Sequence, residues 1–250
     1  MLSKDSLPLL LSVISIVLSV VAGIYTFFTR KYETQRTIRF QLSDIFERIF
    51  TNDLESIKVT QQFGLSDSYR QAQLAQFNQQ RYFLLHQAMR LAAQIEDLVT
   101  DVEYNTIAYT CGNVSDFVNA DTFYRKAIAS TPNPVSRVLA TQSYAAFLFM
   151  QHRFEDGRKQ FEEATRLVNG GDNATRATRG FVYQAWAVAE LVAKSPKRAE
   201  PLIESARAEF SGIDLEFQKQ QLLSSLDSAI QSVTAQNATA APPADKKLAV

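Results

Sequence analysis

The residues of this chain best suited to chemistry are few and scattered. Cys111 is the single cysteine, and His86 and His152 are the only histidines. A thiol nucleophile needs a histidine base within hydrogen-bond reach and a third group to orient that base. Nothing in the spacing brings these three together: His86 lies beside Leu84 and Leu85 in a long helical pattern, and His152 sits at a turn next to Arg153. Neither histidine has a cysteine or a second histidine at zinc-ligand spacing, so no metal is expected. Carboxylates pair at Glu162-Glu163, with Glu155 and Asp156 upstream, but Arg153, Arg158 and Lys159 are interleaved with them. That is a solvated helix face with i,i+4 ion pairs rather than an acid-base dyad. The stretch "NGGDNA" lacks the Lys-Ser/Thr and the preceding strand of a phosphate loop. The expectation is a protein without catalytic residues and without a cofactor.

Composition narrows the remaining classes. Lys plus Arg and Asp plus Glu each total 26, so no basic field exists to hold nucleic acid. At 250 residues the chain has room for one medium domain with appendages. No period-2 run of β-branched residues is long enough for a convincing strand, and the fold class expected is all-α.

Residues 7–28 carry no charge, and a helix of that length spans about 33 Å, close to the hydrocarbon thickness of a bilayer. A signal peptide cut at Gly23, after Val20 and Ala22, is the alternative. The apolar run continues through Tyr25, Phe27 and Phe28, which favours a retained transmembrane helix with an aromatic belt. Arg30, Lys31, Arg36 and Arg39 follow the span, whereas only Lys4 precedes it. This asymmetry predicts a single-pass protein with its N-terminus outside and its C-terminal domain cytoplasmic. Within the span Ser12, Ser15, Ser19, Ala22 and Gly23 share one face, a small-residue stripe suited to contact with a second helix, its own copy or another protein's.

Beyond the span, Ile38, Leu42, Ile45 and Ile49, with Phe46 and Phe50, predict a helix over residues 37–63. Ser66 then offers an N-cap for another helix reaching about Leu98, with Leu74, Phe77, Leu84, Leu85, Ala88, Leu91, Ala92 and Ile95 inward. Residues 29–98 thus form a juxtamembrane helical hairpin. Downstream a pattern recurs at offsets of 37 and 42 residues. Its first copy holds Tyr104, Ile107, Ala108 and Cys111, then Ala120, Tyr124, Ala127 and Pro132. The second holds Thr141, Tyr144, Ala145 and Leu148, then Gly157, Phe161 and Ala164. The third holds Tyr183, Trp186, Ala187 and Glu190, then Ala199, Ile203 and Ala206. This spacing resembles the tetratricopeptide repeat, although the copies exceed that family's period of about 34 and the last two lack its terminal proline. The alternative is an unrelated helical bundle with small residues at its crossings.

The resemblance implies three helix pairs over residues 101–211, with Cys111 buried between helices. It also implies a groove on the first helix of each pair, lined by Asn105, Tyr109, Gln142, Phe149, Gln184 and Val188. The cationic clamp with which some family members grip a terminal carboxylate is missing, since the matching places hold Asn105, Tyr109, Ser143, Phe181 and Ala185. An apolar peptide or helix would suit the surface better than an acidic tail. Packing of the preceding hairpin against these residues would leave no free groove. Residues 212–233 read as a capping helix and 234–250 as a tail too poor in apolar residues to fold. The sequence therefore points to a membrane-anchored adaptor or scaffold binding protein partners. The alternative is a structural or accessory subunit of a larger membrane complex.

Overall fold

The computed structural model describes the backbone of residues 6–61 and 66–239, and the side chains of residues 24–61 and 66–237. Every regular element among the described residues is helical. The chain divides into two compact units, Met1–Val99 and Thr100–Val250.

The first unit is a helical hairpin. Helix α1, Ser6–Gln61, runs for 56 residues without a break, about 84 Å at 1.5 Å per residue. The apolar segment and the helix expected from Thr37 are one continuous rod. The reason is compositional: between Gly23 and Gly64 there is neither glycine nor proline to interrupt it. Helix α2, Asp67–Gln94, returns after Ser66, whose hydroxyl accepts from the Tyr69 amide at its first turn. A short 3-10 turn, Glu96–Leu98, follows. Ile38, Leu42, Ile45 and Ile49 of α1 are buried, as are Leu84, Leu85, Ala88, Leu91 and Ala92 of α2. Full burial of side chains such as Leu42 and Leu85 stabilises the pair by about 1.5–3 kcal/mol each. Farther along, the buried Arg81 donates to Asp53 at 2.8 Å, and Asn52 donates to the Phe77 carbonyl at 3.1 Å. These polar links take over where the isoleucine stripe ends, and Phe50 points outward rather than into the hairpin.

The second unit is built of antiparallel pairs: α3 (Asp101–Asn113) with α4 (Phe117–Ala129), α5 (Pro134–Met150) with α6 (Phe154–Leu167), and α7 (Asn173–Val192) with α8 (Pro196–Ser211). A capping box between Thr100 and Glu103 starts α3, while Asn133 and Asp172 cap α5 and α7. Inside the pairs, small residues stand where the helices cross. Ala108, Ala145 and Ala187 on the first helices, and Ala120, Gly157 and Ala199 on the second, are all buried. Bulky side chains fill the space around these crossings: Tyr104 and Tyr124 in the first pair, Phe149 and Phe161 in the second.

The three turns inside the pairs are copies of one another. Ser115, His152 and Lys194 all adopt positive φ, at 65°, 56° and 57°, and they are spaced at the same offsets of 37 and 42 residues as the sequence pattern. At the following residue the amides of Asp116, Arg153 and Ser195 donate to the carbonyls of Cys111, Leu148 and Glu190 at 2.9, 2.9 and 2.8 Å. Each first helix therefore closes with the same left-handed turn, which satisfies one of its orphan carbonyls.

Successive pairs are stapled at one recurring place. Asp121 on α4 accepts from the Tyr144 hydroxyl of α5 at 2.7 Å. Arg158, 37 residues later on α6, donates from Nε and Nη2 to Glu190 of α7 at 2.6 and 2.8 Å. The last helix, α9 (Glu216–Thr239), covers the end of the stack. Leu222 and Leu226 enter a cluster with Ala177, Phe210 and Ile213, while Leu215, just ahead of the helix, is exposed. Asp214 bonds to Asn173 at the start of α7, and Asn237 donates to the Leu191 carbonyl at its end. Helix α9 thus runs parallel to α7, in the place of a further first helix, and continues past Val233 to Thr239.

Candidate docking face

The first helices α3, α5 and α7 pack side by side, α3 on α5 and α5 on α7. Their open side repeats with the period of the pairs. Each carries a carboxamide: Asn105, Gln142 and Gln184. Three residues earlier stand Val102, Leu139 and Phe181, all exposed. Four residues later come Tyr109, exposed, then Ala146 and Val188, half-buried. Positions i−3, i and i+4 share one face of a helix, so the second unit displays a row of amides between two rows of apolar side chains. Tyr109 and Leu139 are each 54% exposed and Met150 59%.

The amides themselves are unusual. The side-chain oxygens of Asn105, Gln142 and Gln184 are buried and accept no hydrogen bond within the protein. An unsatisfied buried acceptor is destabilising by about 1–3 kcal/mol. The same buried, unpaired acceptor thus recurs at one place on each first helix.

Of the six residues expected on this face, Asn105, Tyr109, Gln142, Gln184 and Val188 lie on it. Phe149 does not. It is 6% exposed and packs against Phe154 and Phe161, with ring centroids 5.6 and 5.8 Å apart. The reason is Gly157 on α6, where a Cβ would stand 2.5 Å from the Phe149 ring. The hollow left by the missing side chain takes the ring, and Met150 occupies the exposed place instead. Sequence reasoning passed over Val102, Leu139 and Met150, although the first two precede an amide by three residues.

The groups with chemical potential are engaged elsewhere. Cys111 is fully buried, and burial, followed by the nearby Asp116 carboxylate, pushes its thiol up to about 12. Burial also raises the Tyr124 hydroxyl. For Asp121 burial works upward, but hydrogen bonds from Arg125, Tyr144 and Arg153 outweigh it and hold the carboxyl below its ordinary value. A cavity of about 550 Å³ at α6 to α8, lined by Arg158, Trp186, Glu190 and Arg198 among others, is floored by the Arg158–Glu190 pair, whose charges cancel. Among the described residues no group of three or more His, Cys, Asp or Glu side chains could hold a metal ion.

Among the described residues no helix is long and apolar enough to cross a membrane. The side chains of residues 7–23, most of the expected span, lie outside the described residues. So does the whole small-residue stripe of Ser12, Ser15, Ser19, Ala22 and Gly23. The expected aromatic belt, Tyr25, Phe27, Phe28 and Tyr32, is exposed on α1. In comparison with known proteins, no family model, no curated protein and no solved structure matches the chain.

Proposed function

We propose that this chain is a membrane-anchored, non-catalytic adaptor whose tetratricopeptide-like hairpins bind a protein partner at the cytoplasmic membrane face. The observation that carries the reading is the open side of α3, α5 and α7, where exposed Val102, Leu139 and Phe181 each stand three residues ahead of a carboxamide. Surfaces of this kind mark sites of association, because isolated soluble domains rarely leave contiguous apolar area in water. The uncharged segment 7–28, flanked on one side by Arg30, Lys31, Arg36 and Arg39, supports anchoring with the second unit in the cytoplasm. A photo-cross-linking residue at Leu139 should then yield a discrete adduct with another protein in intact cells, and the same residue at the exposed Lys159 of α6 should not. Equal yields at both positions would count against a specific face.

A second reading is favoured by α1, where Phe40 and Phe50 are exposed on a helix already paired with α2. In that reading the chain is a structural subunit of a larger membrane complex, held by α1 and by helix contacts through Ser15, Ser19 and Gly23. Changing those three to leucine would release the chain from the complex, whereas an adaptor on a simple tether would keep its partner.

A further inference from the structure

We infer that the first unit of this chain packs against the first unit of a second copy, hairpin on hairpin, through the side of α1 and α2 that carries Phe46, Phe50, Ile57, Tyr82 and Met89. The inference goes beyond both readings above and does not depend on the open side of the second unit.

The first argument is the difference between the two sides of the hairpin. Its seam is formed by Ile45, Ile49 and Asn52 of α1 with Arg81, Leu84 and Ala88 of α2, all buried. Residues one place before a seam position face one side of the pair, and residues one place after it face the other. Directly before stand Asp44, Arg48, Thr51, Gln80, Phe83 and Gln87, which line the grooves on that side, and all but Phe83 are polar. Directly after stand Phe46, Phe50, Asp53, Tyr82, Leu85 and Met89, and all but Asp53 are apolar or aromatic. Ile57, seven places beyond Phe50, continues that side. Phe50 is 64% exposed, and Ile57 and Tyr82 are each 52% exposed. Two helices make a single layer, whereas a stable domain buries its apolar surface between two, and small units commonly complete that burial by oligomerising.

The second argument is area. Where α1 and α2 run together the hairpin is about 37 Å long and two helices, about 20 Å, wide. Its footprint of about 700 Å² per copy approaches the ~800 Å² per partner of a stable specific interface. The third argument is the fit of the side to itself. Asp53 faces Arg81 and Asn52 faces Phe77 across the seam, which puts Ser43 level with Met89, Phe50 with Tyr82 and Ile57 with Ala75. A two-fold axis along the helices lays each α1 against the other copy's α2 at unchanged height. Ser43 then meets Met89 and Ile57 meets Ala75, small against large, while the Phe50 and Tyr82 rings meet each other. At the rim Glu47 comes level with His86, an acceptor facing a donor. Asp53 is already neutralised by Arg81 of its own chain. Neighbouring helices in this bundle run antiparallel with opposed dipoles. Both α1 helices keep one direction, as two copies anchored in one bilayer require.

The test uses the full chain in mild detergent. Two differently tagged copies are co-expressed, one with Ser43→Cys and the other with Met89→Cys, and are oxidised with copper phenanthroline; native Cys111 is buried and stays out of reach. A disulfide-linked dimer carrying both tags is expected, and none from Thr51→Cys with Gln80→Cys on the polar side. Absence of the link in the first pair, or equal yields from both pairs, would overturn the proposal. Without oxidant, Phe50→Asp should shift the mass in light scattering from that of two chains to that of one. Phe50 is exposed, so the variant should keep its fold, as circular dichroism would verify. A native chain of single mass would contradict the pairing, as would a dimer indifferent to Phe50→Asp. Cross-linking from Leu139 reads the adaptor proposal separately, so either can fail while the other stands.

Discussion

Cys111, Leu148 and Glu190 hold the same place in three successive pairs, at the end of the first helix, each with its carbonyl closing the following turn. A thiol, an isobutyl group and a carboxylate are tolerated there because each is matched by its own neighbours. Glu190 is 1% exposed and is neutralised by the two-pronged Arg158 contact, with the Trp186 indole donating at 3.3 Å. Removing one partner of such a pair strands the other charge, so Glu190→Ala should lower unfolding free energy by about 3 kcal/mol or more, read by denaturant titration. Arg198→Ala, at an exposed ion pair with Glu155, should change it by less than about 1 kcal/mol. The Cys111 thiol, held near 12 by burial, should resist alkylation at pH 8 until denaturant opens the pair, which mass spectrometry would register. Asp121 gives a pH dependence of defined sign. Its folded value lies below the ordinary 3.8, so its stabilising effect is present in full above that pH and is lost as pH falls through the lower folded value. The stability difference between the native chain and Asp121→Asn should therefore be constant from neutral pH to about 5 and shrink below 3.8. A difference that grew in acid would show the opposite shift.

The helices and their turns were the most legible part of the sequence, because they are set by local patterns. Ala108, Ala145 and Ala187 could be recognised as crossing points from spacing alone, and so could Ala120, Gly157 and Ala199. The turn residues Ser115, His152 and Lys194 carried no such signal: glycine is the usual occupant of the left-handed region, and none of the three positions has one. Ser115→Gly and Lys194→Gly should each raise stability by about 0.5–1 kcal/mol, measured by thermal or chemical unfolding, since they relieve a left-handed conformation unfavourable to a side chain. Gly157→Ala should act in the other direction by about 1–3 kcal/mol, because the new methyl meets the Phe149 ring. The same contact explains why Phe149 was misplaced on the open face. Helical periodicity assigns a residue to a side only to within one position, and here a hollow on the partner helix decided between Phe149 and Met150. Farther along the hairpin Asn52, Asp53 and Arg81 replace the apolar stripe, and Phe50 is exposed there.

At the scale of the whole molecule, two features have to be explained together: an uncharged N-terminal run continuous with a long helix, and a repeat surface that exposes apolar side chains at a regular interval. Individual exposed residues such as Leu139 are unremarkable. It is their recurrence at Val102, Leu139 and Phe181, each three residues ahead of an amide, that gives the surface a direction and a length. This register was written in the sequence at the repeat offsets, but exposure is a tertiary property, and composition alone does not separate an apolar residue facing a neighbour from one facing water. The account's central claim is that this face, and no other part of the second unit, holds the partner. The most direct test is quantitative co-purification of the full chain in mild detergent, comparing the native sequence with Leu139→Asp combined with Val102→Asp. Both sites are exposed, so the fold should be unaffected, as circular dichroism would verify. The account predicts a discrete co-purifying protein reduced at least tenfold by the two substitutions. Equal recovery from a folded variant would contradict it.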